Sequence, residues 1–386
     1  MLCALQGRTA AQRAASTIAA VLGIAALAGP ASADNGWTQM QAAPVGGGES
    51  AIFDDVAFPA PGHIIAVGHT WGTVGGALEF RTLIERWDGA KWTRMSSIDH
   101  ESAPATNFLL GVAGTSGHDI WTVGWWSPGA APTQPLIEHF DGTRWSESRL
   151  PTQTTSTYLE AVSARAADDA WAVGEQNPPG SFYSMPYTLH WDGHGWSPVA
   201  FPSAGLPSCN THVTLTGVSV VPGTPAVYAS GYCESSGGKG FLARYRNGAW
   251  SVLAAAPVPA TSELHGVRAR AWNDVWAVGN ETTAAGRISL VLHYDGAHWT
   301  KVTVPTLPDD GLDAVFARSA TDVWAVGVGD SVQPPFAAPI ALHYDGTQWT
   351  ALNPGGYGNF GGVVVNDAGH AFALGGTLGN PFAMRH

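Results

Sequence analysis

The chain has 386 residues, of which 45% are hydrophobic and 12% charged, with 48 Gly and 17 Trp. That is a globular composition with the apolar mass for a large core, which excludes low-complexity and disordered classes. With 30 Asp and Glu against 18 Lys and Arg, the formal charge of −12 makes phosphate backbones and anionic membranes poor partners.

The first residues read as an export signal. Arg8 and Arg13 precede an apolar run over residues 19–28, and Ala31-Ser-Ala33 supplies a small-x-small cleavage pattern. The sequence therefore predicts a signal peptide over 1–33, with an apolar run too short to span a bilayer comfortably. No second apolar run of spanning length follows, so residues 34–386 are expected to form one exported domain, secreted and not inserted in a membrane. Cleavage would remove Cys3 and leave Cys209 and Cys233. In an exported chain the expectation for this pair is a disulfide. Free thiols or half a metal site are the alternatives, although no CxxC spacing supports a metal.

Beyond the signal, one pattern returns at intervals of roughly fifty residues, the mark of a repeat architecture. Its regular copies begin Asp119-Ile-Trp-Thr-Val-Gly124, Asp169-Ala-Trp-Ala-Val-Gly174, Asp274-Val-Trp-Ala-Val-Gly279 and Asp322-Val-Trp-Ala-Val-Gly327. Each is followed by a segment such as His293-Tyr-Asp-Gly-Ala-His-Trp299, and looser copies stand around Gly68 and Gly231. Each repeat parses into four strands. The first ends in a small residue and Val, as in Glu160-Ala-Val162 or His265-Gly-Val267, and the second carries Val-Trp-Ala-Val-Gly. After a variable loop comes the third strand, then an Asp-Gly hairpin turn, then a fourth strand starting near the Trp.

Seven glycines end second strands: Gly68, Gly124, Gly174, Gly231, Gly279, Gly327 and Gly375. Only six fourth-strand tryptophans follow them, from Trp92 to Trp349, and the last repeat stops after its third strand. The missing piece stands at 36–40, where Trp37 takes the seventh Trp position. The predicted fold is thus an all-β, seven-bladed β-propeller with four antiparallel strands per blade and an N-terminal strand closing the last blade. The blades fall at about 51–96, 107–150, 157–201, 212–254, 264–304, 312–352, and 360–386 plus 36–40.

These DVWAVG and DGxxW repeats resemble secreted bacterial propellers grouped with the kelch and galactose-oxidase-like superfamily, over about residues 36–386. The resemblance implies architecture and leaves activity open, since a propeller hosts many functions. The Gly-Gly doublet that ends strand two in kelch repeats stands at that place only in Gly375-Gly376, and the sialidase-type Asp box is absent.

Candidate functional residues are those outside the repeat. The Asp before strand two most simply accepts turn hydrogen bonds, while the recurring Trp and His139, His190, His293 and His343 belong to the shared core. Non-repeat aromatics on the variable-loop face, Trp71, Trp125 and Trp126, suit stacking on sugar rings if exposed, and core capping if buried. Glu175, Gln176, Asn177 and Tyr183 in blade three, with Asn280 and Glu281 in blade five, are further loop polars. A second cluster, Asp54, Glu160, His265 and Asp313, stands at the start of strand one, nearest the central channel. Asp309, Asp310, Glu263 and His212 are its outer members. Its carboxylates suit acid/base work or Ca²⁺, or form a hydrated acidic funnel; no motif supports Ca²⁺ or any other cofactor.

Several enzyme classes lack their residues. No Cys, Tyr and His set fits a copper-radical oxidase, and the arginines (Arg81, Arg86, Arg144, Arg244, Arg268, Arg318) are scattered rather than convergent. No Gly-x-Ser-x-Gly elbow is present. The sequence is read as a secreted, monomeric propeller that binds an extracellular glycan or protein on its variable-loop face, with no nucleic-acid partner. The alternative is a carbohydrate-active enzyme, a glycoside hydrolase or lyase, using the channel carboxylates.

Overall fold

The computed structural model describes residues 36–386 except 47–48, 103, 182, 209–210, 235–237, 306–308, 331–336 and 378. The expected signal peptide over 1–33 and Cys209 lie outside the described residues; Cys233 lies within them, fully buried. The described residues form 28 strands in seven four-stranded antiparallel sheets. Among them no helix is long and apolar enough to cross a membrane.

Each of the first six sheets takes its strands in sequence order, so each repeat is one blade. The seventh draws on both ends of the chain. Thr38–Met40 forms its outer strand and pairs with Asn380–Arg385 in the register Thr38↔Arg385, Gln39↔Met384 and Met40↔Ala383. No blade is left with an unpaired edge toward a gap in the ring. The expected closure is present.

The repeat tryptophans explain how blades adhere. The strand-four Trp of one blade packs edge-on against the strand-two Trp of the preceding blade: Trp196 on Trp121, Trp250 on Trp171 and Trp349 on Trp276, with centroids 5.2, 5.6 and 5.6 Å apart. Trp37 does the same to Trp324 at 5.9 Å and 89°, so it occupies the seventh place in the series. Such edge-to-face pairs add to the burial of two large side chains.

The Asp at the start of strand two has a different role from the turn acceptor expected of it. Asp119, Asp169, Asp274 and Asp322 each receive a strand-three His through Oδ1, at 2.8 to 3.1 Å. Each ring then lies on the blade's own Trp, as with His293 on Trp276 at 4.0 Å. The second carboxylate oxygen takes Arg165, Arg270 or Arg318 from the end of strand one, or Thr115 in blade two. The turn-capping acids are those of the Asp-Gly hairpins. Asp295 Oδ1 accepts from the amides of Ala297 and His298 at 2.8 Å each, with Gly296 at φ 98°.

Strand one does not end at its Val. In blade three it runs over Thr157–Ala166, and the other blades extend it similarly. The added length forms the wall of the central channel.

Candidate functional site

All seven blades carry a bulge at one place in strand one. In blade three Leu159 pairs with Gly174 and Ala161 with Val173, so Glu160 is the extra residue. The same slip isolates Asp54, Leu110, Thr216, His265, Asp313 and Gly361 in the other blades. The cause is visible in the sequence. The flanking core residues, Leu159 and Val162 or Phe53 and Val56, are three positions apart, where a plain strand repeats every two. Burying both requires one extra residue between them.

The strand-two glycine makes room for this bulge. A Cβ on Gly174 would lie 2.1 Å from the carbonyl oxygen of Tyr158, and on Gly375 1.8 Å from that of Asn359. Bulge and glycine are two halves of one device.

The seven bulge residues line one cavity of about 580 Å³ around the central axis. Asp54, Glu160, His265 and Asp313, expected from the sequence at the channel, all belong to it. Three residues not anticipated there, His69, Tyr232 and Arg268, also line it. Asp54 is half-buried and accepts from His69 Nδ1 at 2.8 Å, while the His69 ring lies against Phe108 at 4.6 Å. His265 Nε2 meets Asn280 Nδ2 at 3.1 Å, with Glu263 Oε2 at 3.7 Å, and its ring faces Tyr232. Thr216 donates to the Leu264 carbonyl of the next blade.

Asp55, beside the bulge, accepts from the amides of Val56 and Val112 and so ties blade one to blade two. Loss of solvation pushes its carboxyl up to about 7, against the pull of those two amides. Its equivalents are Gly111, Ala161, Gly217, Gly266, Ala314 and Gly362, residues that point at the neighbouring blade with little space.

The aromatic residues are placed differently from an exposed sugar platform. Trp71 and Trp125 are each 7% exposed and pack in a cluster with Phe80, Phe108 and Leu110. Trp126 is half-buried, stacked on His100 at 4.0 Å. The physical reason is that their strands extend past the glycine, so the side chains turn inward against the next blade. Glu175 is buried, accepts from Ser184 Oγ at 2.6 Å, and is pushed up to about 7 by burial. Tyr183 is half exposed, edge-on to His212. None of these five residues lines the cavity.

The outer members of the polar cluster hold loops. Asp310 Oδ1 accepts from the Ser289 amide at 2.6 Å and Asp309 Oδ1 from the Arg287 amide at 3.0 Å. Gln176 donates to Gln153 and Thr157, and Glu281 pairs with Lys301. Among the described residues no three His, Cys, Asp or Glu side chains are gathered to hold a metal ion.

No protein-family model matches the chain, and no curated protein matches it. Among solved structures, that of YCF48 bound to D1 peptide is similar over 92% of this chain and 98% of its own, with 17% identity and a TM-score of 0.55. A six-bladed fucose-recognising lectin of Aleuria aurantia matches 78% of this chain and 96% of its own at 14% identity, with a TM-score of 0.45. A gluconolactonase of Xanthomonas campestris matches 87% and 86% at 14% identity, with a TM-score of 0.42. The likeness to the first is one of fold. The chain is a seven-bladed β-propeller.

Proposed function

We propose that this is an exported binding propeller that takes its ligand, a glycan or a segment of an extracellular protein, at the channel mouth on the variable-loop face. One observation carries the reading. Seven structurally equivalent bulges bring six kinds of residue to one ring, through Asp, Leu, Glu, Thr, His, Asp and Gly, while the flanking residues, Asp55 apart, stay apolar or small. A repeat that keeps its scaffold and varies its chemistry at one ring concentrates specificity there. The cavity volume falls within the roughly 300 to 1,000 Å³ of ordinary small-ligand sites. The peptide bound by the YCF48 relative is compatible with the protein-segment form of the reading, but the channel chemistry is its support.

A second reading, a carbohydrate-active enzyme, draws on the Asp54–His69 hydrogen bond in the same cavity, a pairing that would orient an imidazole for proton transfer. A glycan and peptide array on the purified chain, with product analysis of every hit, separates the two. Binding without turnover, weakened at least tenfold by Glu160→Gln or Asp313→Asn, supports the binding reading. Turnover abolished by Asp54→Asn or His69→Gln would replace it with the enzyme. Binding unaffected by all four changes would remove the channel mouth as the site.

A further inference from the structure

Arg268 is the one arginine or lysine among the residues lining the cavity. It stands on strand one of blade five, three positions after His265, and so roughly 10 Å deeper than the bulge ring at about 3.3 Å per residue. The other arginines near the end of strand one, Arg165, Arg270 and Arg318, each pair with an Asp. Arg268 makes no ion pair and no hydrogen bond among the described residues, and its Nε is buried without a partner. Its guanidinium lies over the Phe316 ring, 4.6 Å from the centroid. Loss of solvation, uncompensated by any nearby carboxylate, holds its pKa below the ordinary arginine value. At the same level stand Ala57, Ala113, Ser163 and Ser219, whose small side chains leave the space around it open.

An unpaired guanidinium in a channel whose other charges are mostly acidic is poor for stability and well suited to receiving an anion. We infer that Arg268 anchors the carboxylate of an acidic sugar, a uronic acid at the end of an oligosaccharide, whose hydroxyls reach the bulge ring above it. This rests on the channel-mouth reading and names its ligand class. A planar carboxylate matches the guanidinium fork with two parallel hydrogen bonds, and Phe316 holds the fork in plane from below. The ring above selects the rest of the ligand. Asp54, Glu160 and Asp313 accept hydroxyl protons from all around the axis and repel further negative charge. A ligand with one terminal carboxylate and a neutral, hydroxyl-rich body is therefore preferred over a polyanion bearing sulfate or phosphate along its length.

The test is calorimetric titration of the purified chain with cellobiouronic acid, a disaccharide with one terminal carboxylate on a neutral glucose, and with neutral cellobiose. The acidic disaccharide is expected to bind at least tenfold more tightly, and Arg268→Gln to erase that preference. Arg268→Lys keeps the charge but loses the fork and should weaken the acidic ligand about tenfold. Both variants should melt no lower than the parent, because no fold contact other than the Phe316 stack is lost. Equal affinity for the two sugars, no binding of either, or a preference that survives Arg268→Gln would overturn the assignment. Equal binding that Glu160→Gln abolishes would overturn Arg268 alone and leave the channel mouth as the site.

Discussion

The carbonyl oxygen of Glu263 occupies the place that a side chain on Gly279 would need: a Cβ there would sit 1.9 Å away. The same conflict recurs at all seven strand-two glycines, each against a carbonyl two residues before the bulge. The most regular residue of the repeat is therefore fixed by backbone geometry one strand away, and that geometry puts His265 and its equivalents into the channel.

Gly279→Ala should accordingly cost about 2–4 kcal/mol, because backbone cannot yield as a flexible side chain would. Gly195→Ala is the control, since a Cβ there meets nothing within 4 Å. It should change stability by no more than about 0.5 kcal/mol. Chemical denaturation of both variants checks the difference. Equal, small effects would mean that the bulge relaxes readily.

Trp37 is 2% exposed and contacts Trp324 and Phe360. Trp37→Ala should cost about 3–5 kcal/mol, the range for emptying a large aromatic site. Removal of residues 36–40 should also make the protein self-associate, since Asn380–Arg385 would become an open edge strand. Unfolding curves and light scattering measure the two effects.

Trp71→Ala and Trp125→Ala should lower the melting temperature, because both side chains are packed in the same cluster. The expected loss is about 3–5 kcal/mol each. A variant that melts normally yet loses ligand would return these residues to the binding surface.

Stability should depend on pH in a defined direction. Burial pushes Glu85 and Glu175 up to about 7 and Glu138 up to about 8, and Asp55 stands at about 7. For these raised groups the stabilising contribution is complete below the unfolded carboxyl value and disappears as pH rises through 7 to 8. Asp119 is held low chiefly by its His139 bond, and Asp274 and Asp322 are held low by His and Arg bonds that outweigh burial. Their contribution is present above the unfolded value and lost as pH falls through the depressed one. The melting temperature should therefore peak near pH 5 and decline toward pH 8. Glu138→Gln should flatten the alkaline limb, and a profile rising to pH 8 would contradict the assignment.

Much of this was legible in the sequence because repeats print their core. The blade number, the closing strand and the place of Trp37 all follow from a Gly count against a Trp count. The channel position of Asp54, Glu160, His265 and Asp313 was readable too, as three of them directly precede a small residue and Val and Asp54 stands one place before Asp55-Val56. The bulge itself was not read from the chain, although the three-residue spacing of core positions that forces it is there. What was not legible depends on neighbouring blades. Trp71 and Trp125 look like free aromatics in the chain, yet Phe108 and Tyr158 of adjacent blades cover them. The Asp of strand two looked like a turn acceptor because its His partner arrives some twenty residues later. Arg268 resembled other strand arginines until its surroundings showed no ion pair with a carboxylate among the described residues.

Three residue pairs, Thr38 to Met40 against Arg385 to Ala383, act as the clasp of the ring. A growing chain can assemble six complete blades while the first strand waits, unpartnered, for the last to be synthesised. Any product cut short before Asn380 stays open and exposes strand edges that a protease or chaperone can recognise. Closure of the ring is thus the last pairing to form, at the outer side of the seventh sheet and away from the channel wall.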